Sequence, residues 1–329
     1  MSWQLAGTLY LVLMLTLLLG GVWIAIALGM VGIVGIAIVQ PVLLAGIASV
    51  VWGQLDSFVL TAVPLFLFMG SLLMNSGVSG RFYRGLAPWL VRVPGGLAQS
   101  NIVACAIFAA LCGSSVATAG AIGSVAIPEM RARGYDPHVT AGTLAAGGTL
   151  GILIPPSIPF IIYGSSVGES VGRLFAAGMI PGLLLTLLFM SFLGVQAKLR
   201  PNLAPAHETT ADARKVNTIP DILPIITLIV IVLGGIYAGV MTPTEAAGVG
   251  ASGAVAIAAL YRKISWAVLR RSLVDTVRSN AMILLIVVAA QVMSFALVSS
   301  GVPRGIVGVI AALDASRWVV FGVIAMAYL

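Results

Sequence analysis

Apolar runs long enough to cross a lipid bilayer recur along this chain and constrain its fold more than any other feature. They include residues 9–39, 222–241, 246–261 and 281–299, and a membrane-spanning helix needs about 20 predominantly apolar residues. Only 8% of the 329 residues are charged, whereas a soluble domain carries about a quarter charged residues. The sequence therefore predicts an all-α polytopic membrane protein. Because residues 1–4 lack the basic segment of a cleaved signal peptide, we expect the first run to be retained as a helix.

The basic residues are distributed unevenly between the apolar runs. Three regions, residues 81–133, 198–215 and 262–278, hold 14 of the 17 Lys and Arg residues. Cytoplasmic loops of membrane proteins carry such an excess, and counting crossings from the polar segment 201–218 places all three regions on the cytoplasmic side. We expect residues 262–278 to form an amphipathic helix on the membrane surface. The net charge of +7 thus reflects membrane orientation and does not indicate nucleic-acid binding.

Residues 94–130 are too few for two crossings, although both flanks are basic and are expected on the cytoplasmic side. Two crossings need about 40 residues and a turn. The middle of the segment, residues 113–120, is small and polar and separates two apolar arms. We therefore predict a re-entrant helical hairpin at 94–130 with its tip at membrane depth. Such a tip is tolerated where it is buried in protein or lines a cavity.

A second interruption follows within residues 138–165. Residues 147–159 contain three glycines and three prolines, which a regular helix does not accommodate because proline removes a backbone donor and glycine favours the unfolded chain. We predict a broken helix here, with two helical parts and an unwound stretch between them.

The two ends of the chain resemble each other when one is shifted by 224 residues, which places Ser76-Gly77 on Ser300-Gly301. Residues 262–278 carry five basic residues and their counterpart 38–54 carries none, while 81–92 is basic and 305–316 is not. Opposite charge at equivalent positions is typical of an inverted repeat. Inverted repeats with interrupted helices are typical of secondary transporters.

The repeat divides the chain into three parts. Residues 1–198 form repeat one, with scaffold helices, the hairpin 94–130 and the broken helix 138–165. Residues 199–220 form a cytoplasmic linker, and residues 221–329 form repeat two. Because Leu329 falls on Cys105 under the same shift, we expect repeat two to be incomplete at its C-terminal end and to lack its own hairpin and broken helix.

A transporter of this kind holds a solute and a coupling ion near the middle of the bilayer. Na⁺ is a hard cation that takes oxygen ligands, which hydroxyl groups, unwound carbonyls and helix C-termini supply, while helix N-termini attract anions. The candidate Na⁺ ligands are the side chains of Ser114, Ser115, Thr118 and Thr149 and carbonyls near Gly148, Gly151 and Pro155. The candidate substrate contacts are Ser115, Ala119, Gly120, Pro156 and Ser157. The alternative is that these small residues only allow close helix packing.

Two acidic residues have structural interpretations. Glu245 lies three residues after Thr242 and is expected to form a capping box at a helix start. Glu129 is expected to pair with Arg131 or Arg133 at the base of the hairpin.

Three other reactive side chains are also interpreted as structural. Cys105 and Cys112 are expected to be small core residues, and His138 is expected to lie at the membrane interface near a helix start. No sequence pattern of a hydrolase, kinase or metalloprotease is present, so we expect no enzyme activity.

Five motifs together resemble the large permease subunit of tripartite ATP-independent periplasmic (TRAP) transporters. They are GSSVATA at 113–119, PEM at 128–130, AAGGTLGILIPPS at 145–157, TPTEAA at 242–247 and AMILL at 281–285. The resemblance extends from about residue 21 to residue 329.

The resemblance implies an inverted-repeat, elevator-type transporter in the bacterial inner membrane. It would import small organic acids, such as C4-dicarboxylates or sugar acids, by sodium symport. Its partners would be a small membrane subunit and a periplasmic substrate-binding protein. The hairpin at 114–118 and the break at 148–155 would form one sodium site, and a second would need a second hairpin. The alternatives are a stand-alone symporter of the same architecture and a channel, which would need a continuous pore.

Overall fold

The computed structural model describes residues 2–200, 218–312 and 316–328, and within these ranges the regular structure is entirely helical. Most of the predicted cytoplasmic linker, residues 201–217, lies outside the described residues. The α-helices are α1 (Trp3–Leu19), α2 (Ile24–Val39), α3 (Ile47–Leu55), α4 (Ala62–Asn75), α5 (Val78–Leu90), α6 (Leu97–Cys112), α7 (Ser115–Ala132), α8 (Pro137–Thr149), α9 (Ile158–Val167), α10 (Val171–Leu199), α11 (Ile219–Tyr237), α12 (Pro243–Leu260), α13 (Trp266–Ser299), α14 (Val302–Ala312) and α15 (Arg317–Tyr328). Short 3₁₀ segments lie at Pro41–Gly46, Phe58–Thr61 and Leu150–Ile152.

Several of these helices have the dimensions of membrane spans. By length and composition, four of the described helical segments can cross a bilayer: Phe58–Asn75, Val171–Leu199, Ile219–Tyr237 and Trp266–Ser299. Shorter apolar helices, including Trp3–Leu19, Ile24–Val39 and Leu97–Cys112, accompany them. The chain is therefore an all-helical polytopic membrane protein.

Two expectations about helix boundaries are wrong. The first apolar run is two helices, because α1 ends at a turn in which Gly21 adopts a left-handed φ of 76°. The expected surface helix at 262–278 is not a separate helix: residues 266–278 are the first part of the continuous helix α13, and residues 262–265 precede it. No glycine or proline interrupts the sequence of α13, so its charged N-terminal part and its apolar part form one helix.

The terminal unit comprises Met1–Asp56 and Ala281–Leu329. Its core contains Ala6 and Tyr10 of α1, Ile36 of α2 and Ala296 of α13. The buried Tyr10 hydroxyl lies 2.6 Å from the Ser300 hydroxyl, which gives its polar end a partner.

The central unit comprises Ser57–Asn280. In it α4 packs on α12, and α6, α7 and α8 pack on one another. An ion pair of 2.8 Å joins Arg81 of α5 to Asp221 of α11, and the Arg81 guanidinium stacks 4.4 Å from the centre of the Tyr261 ring. These contacts connect α5 to the start of α11 and the end of α12.

The described helices show the same local turn at positions related by the 224-residue shift. Gly77 and Gly301 have left-handed φ values of 75° and 73°. The helices that follow them begin at Val78 and Val302. This agreement fits an internal repeat, while the proposed domain boundaries stay a prediction.

The structural interpretations of the acidic residues are confirmed. The Thr242 hydroxyl accepts a hydrogen bond from the Glu245 N–H, and the Glu245 carboxylate accepts one from the Thr242 N–H at 2.7 Å. The hydrogen bonds that the Glu245 carboxylate accepts from the Thr242 N–H and from the Thr242 hydroxyl hold the pKa of the Glu245 carboxyl below its ordinary value. Glu129 pairs with Arg133 at 2.7 Å.

The cysteines and the helix start at His138 agree with the structure, while the expected place of His138 at the membrane interface stays a prediction. Cys105 and Cys112 are free and buried. His138 lies in the first turn of α8, where its N–H donates to the capping carboxylate of Asp136.

Candidate functional site

The two arms of the hairpin are α6 and α7, and they pack on each other. The first arm ends at Gly113, whose left-handed φ of 60° is accessible to glycine at little cost. Ser114 is extended, and its hydroxyl accepts a hydrogen bond from the Ala117 N–H at 3.4 Å, so it caps α7. Residues Gly113 and Ser114 are named the hairpin tip below.

The broken helix consists of α8 and α9 with a non-helical stretch between them. After α8 ends at Thr149, one 3₁₀ turn at Leu150–Ile152 leads into an irregular stretch, residues 153–157. Pro155 and Pro156, joined by a cis peptide bond, lie in this stretch. The buried Ser157 hydroxyl donates to the Ile152 carbonyl at 2.5 Å. Residues 150–157 are named the break below.

The hairpin tip and the break are in direct contact. The Gly113 carbonyl accepts a hydrogen bond of 3.2 Å from the Ile158 N–H at the start of α9. A Cβ atom at Gly113 would lie 2.6 Å from the Pro156 carbonyl oxygen. Since Cβ atoms do not approach other heavy atoms this closely, only glycine fits here.

Two further glycines allow α7 to approach the broken helix. A Cβ atom at Gly151 would lie 2.7 Å from the Ser114 carbonyl oxygen and 2.9 Å from the Thr118 hydroxyl. At Gly148 it would lie 2.9 Å from the Ala119 Cβ atom. The missing side chains thus let the Ser114 carbonyl and the Thr118 hydroxyl approach the backbone of the broken helix closely.

Thr118 has a buried hydroxyl without a hydrogen-bond partner among the described residues. Threonine hydroxyls within helices usually bond to a carbonyl three or four residues earlier, as Thr140, Thr143 and Thr149 do. An unsatisfied buried hydroxyl costs about 1–3 kcal/mol. The hydroxyl lies beside Gly151 and near the Ser114 carbonyl, so its lone pairs are free to accept a further partner.

Of the remaining candidates, Ser115 lies near the contact, whereas Thr149, Gly120 and Pro155 have no described contact with the hairpin tip. Ser115 directs its backbone carbonyl toward Gly148, 3.3 Å from where a Cβ would lie. The Thr149 side chain is exposed, and its hydroxyl donates to the Ala146 carbonyl at 2.7 Å. Gly120 is exposed and a Cβ there would meet no atom within 4 Å. Pro155 is buried within the break, and no described contact joins it to the tip.

The donor set fits a hard monovalent cation. It consists of neutral hydroxyl and carbonyl oxygens, and no group of three His, Cys, Asp or Glu side chains within the described ranges could hold a metal ion. Four helix termini lie at the contact, namely the C-termini of α6 and α8 and the N-termini of α7 and α9. Helix C-termini carry negative partial charge and N-termini positive partial charge, so the same place offers ligands for a cation and for an anion.

A buried amide that sequence reasoning missed holds these elements together. Asn101 of α6 is fully buried, and its amide carbonyl accepts a 2.8 Å hydrogen bond from the Tyr83 hydroxyl of α5. Its amide nitrogen donates to the Thr143 hydroxyl of α8 at 2.9 Å and to the Met130 sulfur of α7. The polar run Gln99-Ser100-Asn101 in an otherwise apolar helix is the signal that could have indicated it.

In an all-helical polytopic membrane protein, a helical hairpin packed against a broken helix is typical of secondary transporters. Comparison with known proteins gives the family. The profile described as "Tripartite ATP-independent periplasmic transporter, DctM component" matches residues 11–329. The chain belongs to this family as a TRAP transporter large permease, a transporter of the bacterial inner membrane and not an enzyme.

Individual relatives support the same assignment. The C4-dicarboxylate TRAP transporter large permease protein DctM of Pseudomonas aeruginosa is 35% identical over 299 residues, which are 89% of this chain and 68% of that protein. The 2,3-diketo-L-gulonate TRAP transporter large permease protein YiaN of Escherichia coli is 32% identical over 311 residues, or 90% of this chain and 73% of that protein. An uncharacterized protein, YgiK, of Salmonella typhimurium is 34% identical over 307 residues, or 92% and 70%.

Proposed function

We propose that this permease imports a small organic acid by coupling its movement to the inward movement of Na⁺. The observation that carries the proposal is the unpartnered Thr118 hydroxyl, buried where the hairpin tip contacts the break. Thr118 and the Ser114 carbonyl would bind Na⁺ together with carbonyls near Gly148 and Gly151. The Ser115 and Thr149 hydroxyls and the Pro155 carbonyl are further candidates.

The substrate class is proposed from the site chemistry and from the relatives. The N-termini of α7 and α9 meet at the contact and favour a carboxylate. Related permeases are named for C4-dicarboxylates, 2,3-diketo-L-gulonate and sialic acid, all of which are organic acids. The proposed substrate contacts are Ser115 at the start of α7, Pro156 and Ser157 before the start of α9, and Ala119 and Gly120 in the second turn of α7.

The proposed mechanism moves the site relative to a scaffold, as in an elevator. In this mechanism the hairpin is re-entrant, with both of its ends on the cytoplasmic side. Na⁺ binds at the hairpin tip before the substrate is carried. A small membrane subunit would widen the scaffold, and a periplasmic binding protein would deliver the substrate. The proposed assembly agrees with the word tripartite in the family description.

Uptake measurements test this function. The full-length permease with both partners is reconstituted in proteoliposomes, and a panel of labelled organic acids is offered with a Na⁺ or a K⁺ gradient. We expect saturable uptake of at least one acid with Na⁺ and none with K⁺. Equal uptake in the two gradients would contradict sodium coupling, and flux that does not saturate would indicate a channel.

A further inference from the structure

A partly open cavity of about 420 Å³ lies between α6, α8 and α10. Its residue on α6 is Ile102, well before the tip at Gly113, and its residues on α8 precede the break. The cavity is therefore separate from the contact between tip and break, and its lining residues have no part in the proposed ion site.

The lining of this cavity changes from charged to apolar along the helices. Asp136 and Arg200 line it at the start of α8 and the end of α10. Phe189, Phe192 and Ile102 line its apolar part. From Arg200 back to Phe189, α10 rises roughly 16 Å at 1.5 Å per residue. In the predicted orientation the charged end of the cavity lies at the cytoplasmic interface, where the lipid headgroups are. Its apolar end then lies at the depth of the acyl chains.

The charged end is suited to a phosphate group. The Asp136 carboxylate caps α8, because it accepts hydrogen bonds from the N–H groups of His138 and Val139 at 2.7 and 3.4 Å. The exposed Arg200 guanidinium lines the same end, and guanidinium groups bind phosphate oxygens with two parallel hydrogen bonds.

The apolar part is suited to a single acyl chain. A protein helix is about 10 Å across, so a helical segment of the same depth would need more than twice the available volume. The cavity also adjoins a strip of exposed apolar side chains on α10, since Phe192 is 67% exposed and Leu188 is 56% exposed. This strip offers a route along which a lipid tail enters from the bilayer.

We propose that this cavity binds one phospholipid, with its phosphate at Arg200 and one acyl chain against Phe189 and Phe192. The lipid would connect α6, a hairpin arm, to α8 and α10. The inference is independent of the ion coupled to transport.

Gly142 provides a variant that adds a side chain at the wall of the cavity. It lines the cavity, and a Cβ atom there would meet no atom within 4 Å. Gly142→Leu places an apolar side chain in the space of the acyl chain. Gly248→Leu in α12 is the matched control, because a Cβ there also meets no atom within 4 Å.

The test is native mass spectrometry of the full-length protein in mild detergent, after incubation with phosphatidylethanolamine or phosphatidylglycerol. We expect wild type and Gly248→Leu to retain one phospholipid that Gly142→Leu loses. We expect Arg200→Gln to lower the lipid-bound fraction several-fold, while Lys198→Gln, which removes a neighbouring charge outside the lining, leaves it unchanged.

Equal lipid retention in Gly142→Leu and wild type would overturn the proposal. The proposal would also be overturned if wild type and Arg200→Gln both retained a phosphate-free detergent equally well and neither retained the phospholipid. If Gly142→Leu does not fold, the comparison of Arg200→Gln with Lys198→Gln decides, because both replace an exposed side chain. Preference for one headgroup identifies the lipid species.

Discussion

At Gly151, a missing side chain lets the hairpin tip and the broken helix approach each other. The Ser114 carbonyl and the Thr118 hydroxyl occupy the space that a Cβ atom would take. These two oxygens would have to move for any larger residue to fit. The proposed ion site therefore depends on a glycine that cannot itself provide a side-chain ligand.

We predict that Gly151→Ala raises the Na⁺ concentration for half-maximal uptake several-fold, because the new methyl group pushes Ser114 and Thr118 apart. The measurement is uptake against Na⁺ concentration in the reconstituted full-length complex. Gly234→Ala in α11 is the control, since a Cβ there meets no atom within 4 Å. An unchanged Na⁺ dependence in Gly151→Ala would show that this contact is not part of an ion site.

The sequence predicted the interruptions but not the contact between them. Gly113 and the prolines at 155 and 156 act on their own backbone, so their effect can be read from local composition. The hydrogen bond between Gly113 and Ile158 joins residues far apart in the chain and depends on packing. The missing partner of Thr118 likewise cannot be read from the sequence, because a helical threonine normally bonds to its own helix.

Among the helical elements, Asn101 is the side chain that joins α6 to α5, α7 and α8. We predict that Asn101→Leu lowers the melting temperature by several degrees and raises the half-maximal Na⁺ concentration. The Tyr83 hydroxyl would lose its acceptor, and an unsatisfied buried hydroxyl costs about 1–3 kcal/mol. Both quantities are measured on the same purified variant.

Ser100→Ala is the control for Asn101. Ser100 is also fully buried, but among the described residues its hydroxyl bonds to the Gly96 carbonyl of its own helix turn and joins no other helix. We expect it to leave the Na⁺ dependence unchanged. If the two variants lost stability equally and neither altered the Na⁺ dependence, Asn101 would have no role in positioning the site.

The hairpin arms also allow a test of membrane topology. We predict that single cysteines at Arg92 and Ala132, both exposed positions flanking the arms, react with an impermeant thiol reagent from the cytoplasmic side alone. The native cysteines are buried, which keeps the background low. Labelling of the two positions from opposite sides would mean that the segment crosses the membrane once and is not re-entrant.

One of the two elements that sequence reasoning described wrongly is α13. Its basic residues suggested a separate surface helix, yet the helix continues from Trp266 to Ser299. The charge pattern indicates where a segment meets water, but only glycine, proline or a cap stops a helix. Since the sequence of α13 has no glycine or proline, its continuity could have been predicted.

For the whole molecule, family membership and the local geometry both support a transporter. The profile match over residues 11–329 establishes a TRAP large permease. The tip and the break supply oxygens and helix termini of the kind used by sodium-coupled transporters. The chain spans 68% to 73% of the length of the relatives described above, so the activity of the complete transporter is best measured with the full-length protein and both partners.

The most direct test of the ion site is the Na⁺ dependence of uptake by Thr118→Val in that complex, which removes the hydroxyl and keeps the shape. We predict that the half-maximal Na⁺ concentration rises by a factor that corresponds to about 1–3 kcal/mol, and that Thr118→Ser restores it. Thr186→Val is the control, because Thr186 is also buried but its hydroxyl donates to the Gly182 carbonyl of its own helix. A Thr118→Val complex with the wild-type Na⁺ curve and normal expression would contradict a sodium site at the hairpin tip.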